Sequence, residues 1–144
     1  MNEQPLPATP SLATGQAHIT LDILPAFTTI AWDIRWTGLS GLPTAAHFHA
    51  PAGPAASATA LFSLGNFFSD STPKSGGYSG FRQLSDPMQI SAIRDGMAYV
   101  NLHTDSYPDG EIRGQLQMIP EPSSLVLIGF VTVAMRLLTL AKPE

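Results

Sequence analysis

Between Thr28 and Thr37 every second residue is large and apolar. Ile30, Trp32, Ile34 and Trp36 fall on one side, with Ala31, Asp33 and Arg35 on the other. A helix would scatter these residues around its circumference, whereas a β-strand puts all four aromatic and branched side chains on one face. The residues before it behave alike. From Gly15 to Leu24, Ala17, Ile19, Leu21 and Ile23 alternate with His18, Thr20 and Asp22, until Pro25 stops the run. Further strand-like stretches cover Thr44–Ala50, Ala58–Leu64, Tyr78–Leu84, Met97–His103 and Glu111–Met118, separated by Gly- and Pro-rich turns. One short helix is expected near residues 86–95. Ser85 or Asp86 would cap it, Pro87 suits its first turn, Ile90 and Ile93 share a face, and Gly96 ends it. This pattern predicts an all-β, antiparallel Greek-key sandwich or barrel.

Composition removes several classes of function. Charged residues make up 12% of the 144-residue chain, about half the usual fraction, and the net charge is −4. With no basic patch, nucleic acid is not an expected partner. The absence of cysteine rules out disulfides, thiolate zinc sites, iron–sulfur clusters and cysteine nucleophiles. Ser123 and Ser124 have no base beside them. Asp105 and Asp109 supply too few oxygens for a calcium loop.

The most chemically pointed residues are histidines. His47 and His49 flank Phe48 on one strand, so they face the same way about 7 Å apart while Phe48 turns to the opposite layer. In the stretch Met97–His103, His103 shares a face with Met97, Tyr99 and Asn101, opposite Ala98, Val100 and Leu102. If the two strands are neighbours, the three imidazoles form a chelate suited to copper or zinc, with one coordination position open. Asp105, two residues beyond His103, is the expected additional ligand. A purely structural reading stands beside this one: the histidines bond to backbone and turn groups, and His103 fastens the Asp105–Gly110 turn. His18 is expected to face solvent. Glu111 and Arg113, two apart, are expected to form a same-strand or cross-strand pair. Trp32, Trp36 and Phe48 are assigned to the core.

Three stretches together resemble the CHRD domain: Ala45-Ala-His-Phe-His-Ala-Pro51, Gly96-Met-Ala-Tyr-Val-Asn-Leu-His-Thr104 and Pro108-Asp-Gly-Glu-Ile-Arg-Gly-Gln-Leu116. Asn2-Glu3, Pro5, Pro7 and Thr14-Gly15 are similar to that family's opening strand. The resemblance implies an all-β fold in an extracytoplasmic setting and brings no known enzymatic activity. The His-x-His pattern also resembles copper/zinc superoxide dismutase. This chain lacks that family's cysteine pair and a histidine bridging two metals, so dismutase activity is not expected.

After Met118 the composition changes, which divides the chain into a β-domain at 1–118 and a tail at 119–144. From Ser123 to Ala141 only Arg136 is charged. The run approaches the roughly 20 apolar residues that span a bilayer, and a C-terminal apolar helix is expected there. A buried core segment is the alternative. Pro120-Glu121-Pro122-Ser123-Ser124 followed by this run resembles the PEP-CTERM sorting signal, although the usual terminal arginine cluster is reduced to Arg136 and Lys142. That resemblance implies envelope sorting, cleavage by an exosortase-like enzyme, membrane contact before processing, and association with exopolysaccharide production. Met1–Pro7 has no basic stretch leading into an apolar one, so a secretory leader is expected upstream or already removed. The expected function is a non-enzymatic module of the cell surface or extracellular matrix. It would bind a matrix or cell-surface protein or polysaccharide, or assemble with itself through strand edges. The alternative is a histidine-ligated copper or zinc domain for storage, fold stabilisation or redox chemistry.

Overall fold

The computed structural model describes residues 10–64 and 73–119. The expected C-terminal apolar helix and the motif Pro120, Glu121 and Pro122 lie outside the described residues, as do residues 1–9. Among the described residues no helix is long and apolar enough to cross a membrane.

The chain forms two antiparallel sheets. The first joins β1 (Thr14–Ile23), β2 (Thr28–Thr37) and β5 (Gly76–Leu84) in the order β1-β2-β5. The second joins β3 (Pro43–His49), β4 (Ala60–Ser63), β6 (Tyr99–Thr104) and β7 (Ile112–Gln115) in the order β4-β3-β6-β7. The chain passes between sheets after β2, after β4 and again through α1 (Pro87–Arg94) on its way from β5 to β6.

The alternation read along β2 decides the packing. Ile30, Trp32, Ile34 and Trp36 are all buried, and they share one apolar cluster with Ala46, Phe48, Phe62, Val100, Leu102 and Ile112 of the second sheet. Trp32 meets Phe48 edge-on with ring centroids 6.1 Å apart, a favoured aromatic geometry. On the opposite face of β2, Asp33 accepts from Arg35 Nε at 2.9 Å and from Ser79 Oγ at 2.7 Å. β1 is an edge strand, and its apolar stripe is only partly covered: Ile19 and Leu21 are half-buried, whereas Ala17 and Ile23 are exposed.

The helix follows its local signals. Asp86 Oδ1 accepts from the Met88 amide at 2.9 Å, and Pro87 occupies the first turn, where its missing N–H costs nothing. At the other end Gly96 adopts φ +71°, a left-handed conformation that favours glycine. There the Gly96 amide donates to Ile93 O and the Met97 amide to Ala92 O. This closes the helix and returns the chain towards β6.

Removing Phe48, which is fully buried, should therefore be costly. Phe48→Ala is expected to destabilise the protein by about 3–5 kcal/mol through lost burial and a residual cavity. Phe81→Ala, at a side chain 73% exposed, should stay within about 0.5 kcal/mol. Urea denaturation of the two variants beside the parent checks both values.

Candidate metal centre

The pairing of β3 with β6 places the histidines. His47 lies opposite Asn101, His49 opposite Tyr99 and Ala45 opposite His103. The inner faces of the same residue pairs carry Phe48 against Val100 and Ala46 against Leu102. The three imidazoles therefore gather on the outer face of the second sheet, with His103 diagonal to His47. Their ring centroids are 4.8 Å (His47–His103), 5.9 Å (His47–His49) and 6.3 Å (His49–His103) apart. One ligand nitrogen from each lies within 4.8 Å of the other two. Around a tetrahedral ion, nitrogens at 2.0–2.1 Å stand about 3.3 Å from one another, so the widest pair has to close by about 1.5 Å.

Hydrogen bonds define which nitrogens are available. His103 Nδ1 lies 2.8 Å from Pro108 O, and His49 Nδ1 lies 2.9 Å from Ala58 O. A carbonyl only accepts, so both Nδ1 atoms carry the proton, and in the neutral rings both Nε2 atoms keep a lone pair. An N–H held by a backbone carbonyl is the outer-shell arrangement that orients metal-binding imidazoles. His49 Nε2, in a residue only 9% exposed, is buried with no hydrogen-bond partner, as are Trp32 Nε1 in the core and Asn101 Oδ1 on the same outer face. Among these, His49 Nε2 is the one with a lone pair in the histidine group. A buried polar atom left without a partner is uncommon and calls for an explanation. His103 Nε2 accepts from His47 Nδ1 at 2.9 Å. An ion that takes His103 Nε2 has to displace that bond, after which His47 can donate through Nε2 as it stands, or through Nδ1 once the proton has moved to Nε2.

The site is roofed on one side. Loop 50–59 crosses the outer face and is held by four side chains of the sheet. Arg113 donates to Gly53 O and Ala56 O, and Gln115 donates to Ala52 O. Tyr99 Oη contacts both the amide and the carbonyl of Ala58, and His49 bonds the same carbonyl. Tyr99 is sandwiched between two strands' side chains. The His49 ring stacks on it at 4.7 Å with a 4° interplanar angle, and the Arg113 guanidinium lies 3.5 Å from its ring centroid. Asn101 completes the face by donating to Asp109 O at 3.2 Å. Gly110, at φ +115°, packs so close to Asn101 that a Cβ there would overlap its amide.

Burial lowers the pKa of His47, and the nearby His103 and His49 lower it further. Burial also lowers that of His49, against the opposing hydrogen bond to Ala58. Both rings are thereby biased to the neutral form that a metal requires.

Three residues sit elsewhere than the sequence pattern predicts. Asp105 does not join the histidines: β6 ends at Thr104, and Asp105 turns to the Leu42 backbone. Its amide donates to Leu42 O and its Oδ1 accepts from the Leu42 amide, each at 3.0 Å. Glu111 and Arg113 do not pair with each other. Glu111 precedes β7 and is fully buried, accepting from Ser11 Oγ (2.6 Å), the Ser40 amide (2.7 Å) and Thr104 Oγ1 (2.7 Å). Burial pushes its carboxyl up, but these bonds outweigh it and the net shift is downward. Glu111 thus ties the segments at Ser11 and Ser40 to the end of the strand that carries His103. His18 is exposed, as the alternation indicates.

Alternation already groups Tyr99 and Asn101 with His103. It does not reveal the roof, which needs the small side chains of Ala52-Gly53-Pro54-Ala55-Ala56 to lie flat across the sheet.

The described residues define a two-sheet β-module with a three-histidine group beside a loop-covered stack. The chain belongs to the CHRD domain family, whose model matches residues 1–116. No curated protein matches the chain, and no solved structure does.

The lowered histidine pKa values fix the sign of a pH effect. The unfolded chain binds more protons below its histidine pKa of about 6.5, so this contribution to stability is complete above that pH and declines as the pH falls through it. The urea midpoint of metal-free protein is expected to drop between pH 7.5 and 5.5, a range above that in which Glu111 titrates. The drop should be smaller in His47→Gln. An unchanged slope in that variant would place the effect elsewhere.

Proposed function

We propose that this chain is a non-enzymatic module of exported proteins that acts by binding or assembly at the cell surface or in the extracellular matrix. The observation that carries the reading is the CHRD match over residues 1–116, because CHRD domains occur in secreted and extracellular proteins. The paired sheets supply a rigid support, and the edge strands β1, β4, β5 and β7 offer backbone groups for a partner or a second copy. The partner would be a matrix or cell-surface protein or a polysaccharide. The tail from residue 119, with Pro120, Glu121 and Pro122, would serve as a PEP-CTERM-like sorting signal, touching the membrane until an exosortase-like enzyme removes it. Fractionation of the producing cells should find the mature chain in the envelope or the medium. Recovery from the cytosol alone would refute the reading.

A second reading is favoured by the buried, unpartnered His49 Nε2 and the convergence of the three rings. In it, the module holds Cu(II) or Zn(II) at His47, His49 and His103, for storage, structural support or redox chemistry. Calorimetric titration should give one ion per chain. His49→Ala is expected to weaken binding by more than the roughly 10–100-fold typical of losing an outer-shell partner. Asp105→Asn should leave the affinity unchanged, since Asp105 is bonded to Leu42.

A further inference from the structure

The charge of the donor set has a consequence for what else can bind. All three donors are neutral imidazoles, and no carboxylate joins the group among the described residues. Asp105, the nearest acid along the chain from His103, is held at Leu42. An ion here therefore keeps its full 2+ charge against a partly desolvated sheet face, where uncompensated charge is expensive. Three ligands also leave a tetrahedral ion one position short. The rings are unequally covered: His49 is buried beneath loop 50–59, while His47 and His103 are half-exposed. Solvent therefore reaches the group from the side of His47 and His103, which is where a fourth ligand can enter.

We propose that this fourth position is the module's ligand site and that it takes a carboxylate, bound through one oxygen to the ion. The inference rests on the metal-binding reading above, and it joins that reading to the binding role. A carboxylate supplies the negative charge that the donor set omits, and an oxygen donor at about 2.0–2.2 Å is ordinary for zinc. Binding is then conditional on loading. Without the ion, the same face presents His47 and His103 bonded to each other and offers a carboxylate no fixed positive charge at that point.

The test uses the full chain loaded with Co(II), whose visible absorption reports its coordination. Acetate and galacturonate are the probes, with galactose and chloride as controls. Acetate and galacturonate should each shift the Co(II) bands saturably, and galactose and chloride at equal concentration should not. With Zn(II), acetate at ten times its dissociation constant should tighten ion binding about tenfold by linkage, after correction for zinc acetate in solution. Metal-free protein should bind none of these anions. Because His49 is buried, His47→Gln is the variant of choice, and it should abolish the spectral response. Stoichiometric Co(II) binding with bands indifferent to acetate and galacturonate would overturn the inference and leave the metal reading standing. An equal response to chloride would overturn the carboxylate assignment. Failure to bind Co(II), Zn(II) or Cu(II) at all would overturn the metal reading and this inference together.

Discussion

The antiparallel pairing of β3 with β6 is the contact on which the rest depends. One ladder does two jobs, because side chains alternate across it. On the inner side it sets Phe48 against Val100 and Ala46 against Leu102, in contact with the tryptophans of β2. On the outer side the same ladder brings His47, His49 and His103 together. A slip of one residue would turn the histidines into the apolar layer and Phe48 out to solvent. The energy that protects the core register therefore also protects the imidazole group, and the site needs little stabilisation of its own.

Around that ladder the outer face is built as a second, polar layer. Tyr99, held between His49 and Arg113, underlies loop 50–59, and the loop's carbonyls accept from Arg113, Gln115 and His49. Two of the three imidazoles are oriented by loop carbonyls, Ala58 O and Pro108 O. The structural and metal-binding readings of the histidines are consequently compatible. The bonds that fasten the loops use Nδ1 and leave Nε2 of His49 and His103 with a lone pair, so fastening the loops also prepares the donors.

The histidine pairing was legible from local alternation because His-x-His on a strand and a third histidine at the end of another need only strand geometry and adjacency. Asp105 departs from the strand pattern for a definite reason. Counting by two assumes that the strand continues, and β6 stops at Thr104 where the chain bonds to Leu42. The spacing of Glu111 and Arg113 predicts a same-strand or cross-strand pair. Glu111, however, sits ahead of β7 and is drawn into a buried knot with Ser11, Ser40 and Thr104, while Arg113 turns to the loop and Tyr99. Apart from Thr104, across the adjoining turn, these partners lie far off in sequence, so no local pattern announces them.

What the sequence determined by itself is the set of faces. Alternation separated Trp32, Trp36 and Phe48 from Asp33, Arg35, His47 and His49, and Asp86, Pro87 and Gly96 marked both ends of the helix. These are consequences of backbone geometry acting over a few residues. Tertiary structure alone decided which strand lies beside which, that loop 50–59 would cover Tyr99 and Arg113, and that His49 Nε2 would be buried without a partner. Those outcomes depend on chain segments tens of residues apart meeting at one place, and local chemistry does not encode such meetings one residue at a time.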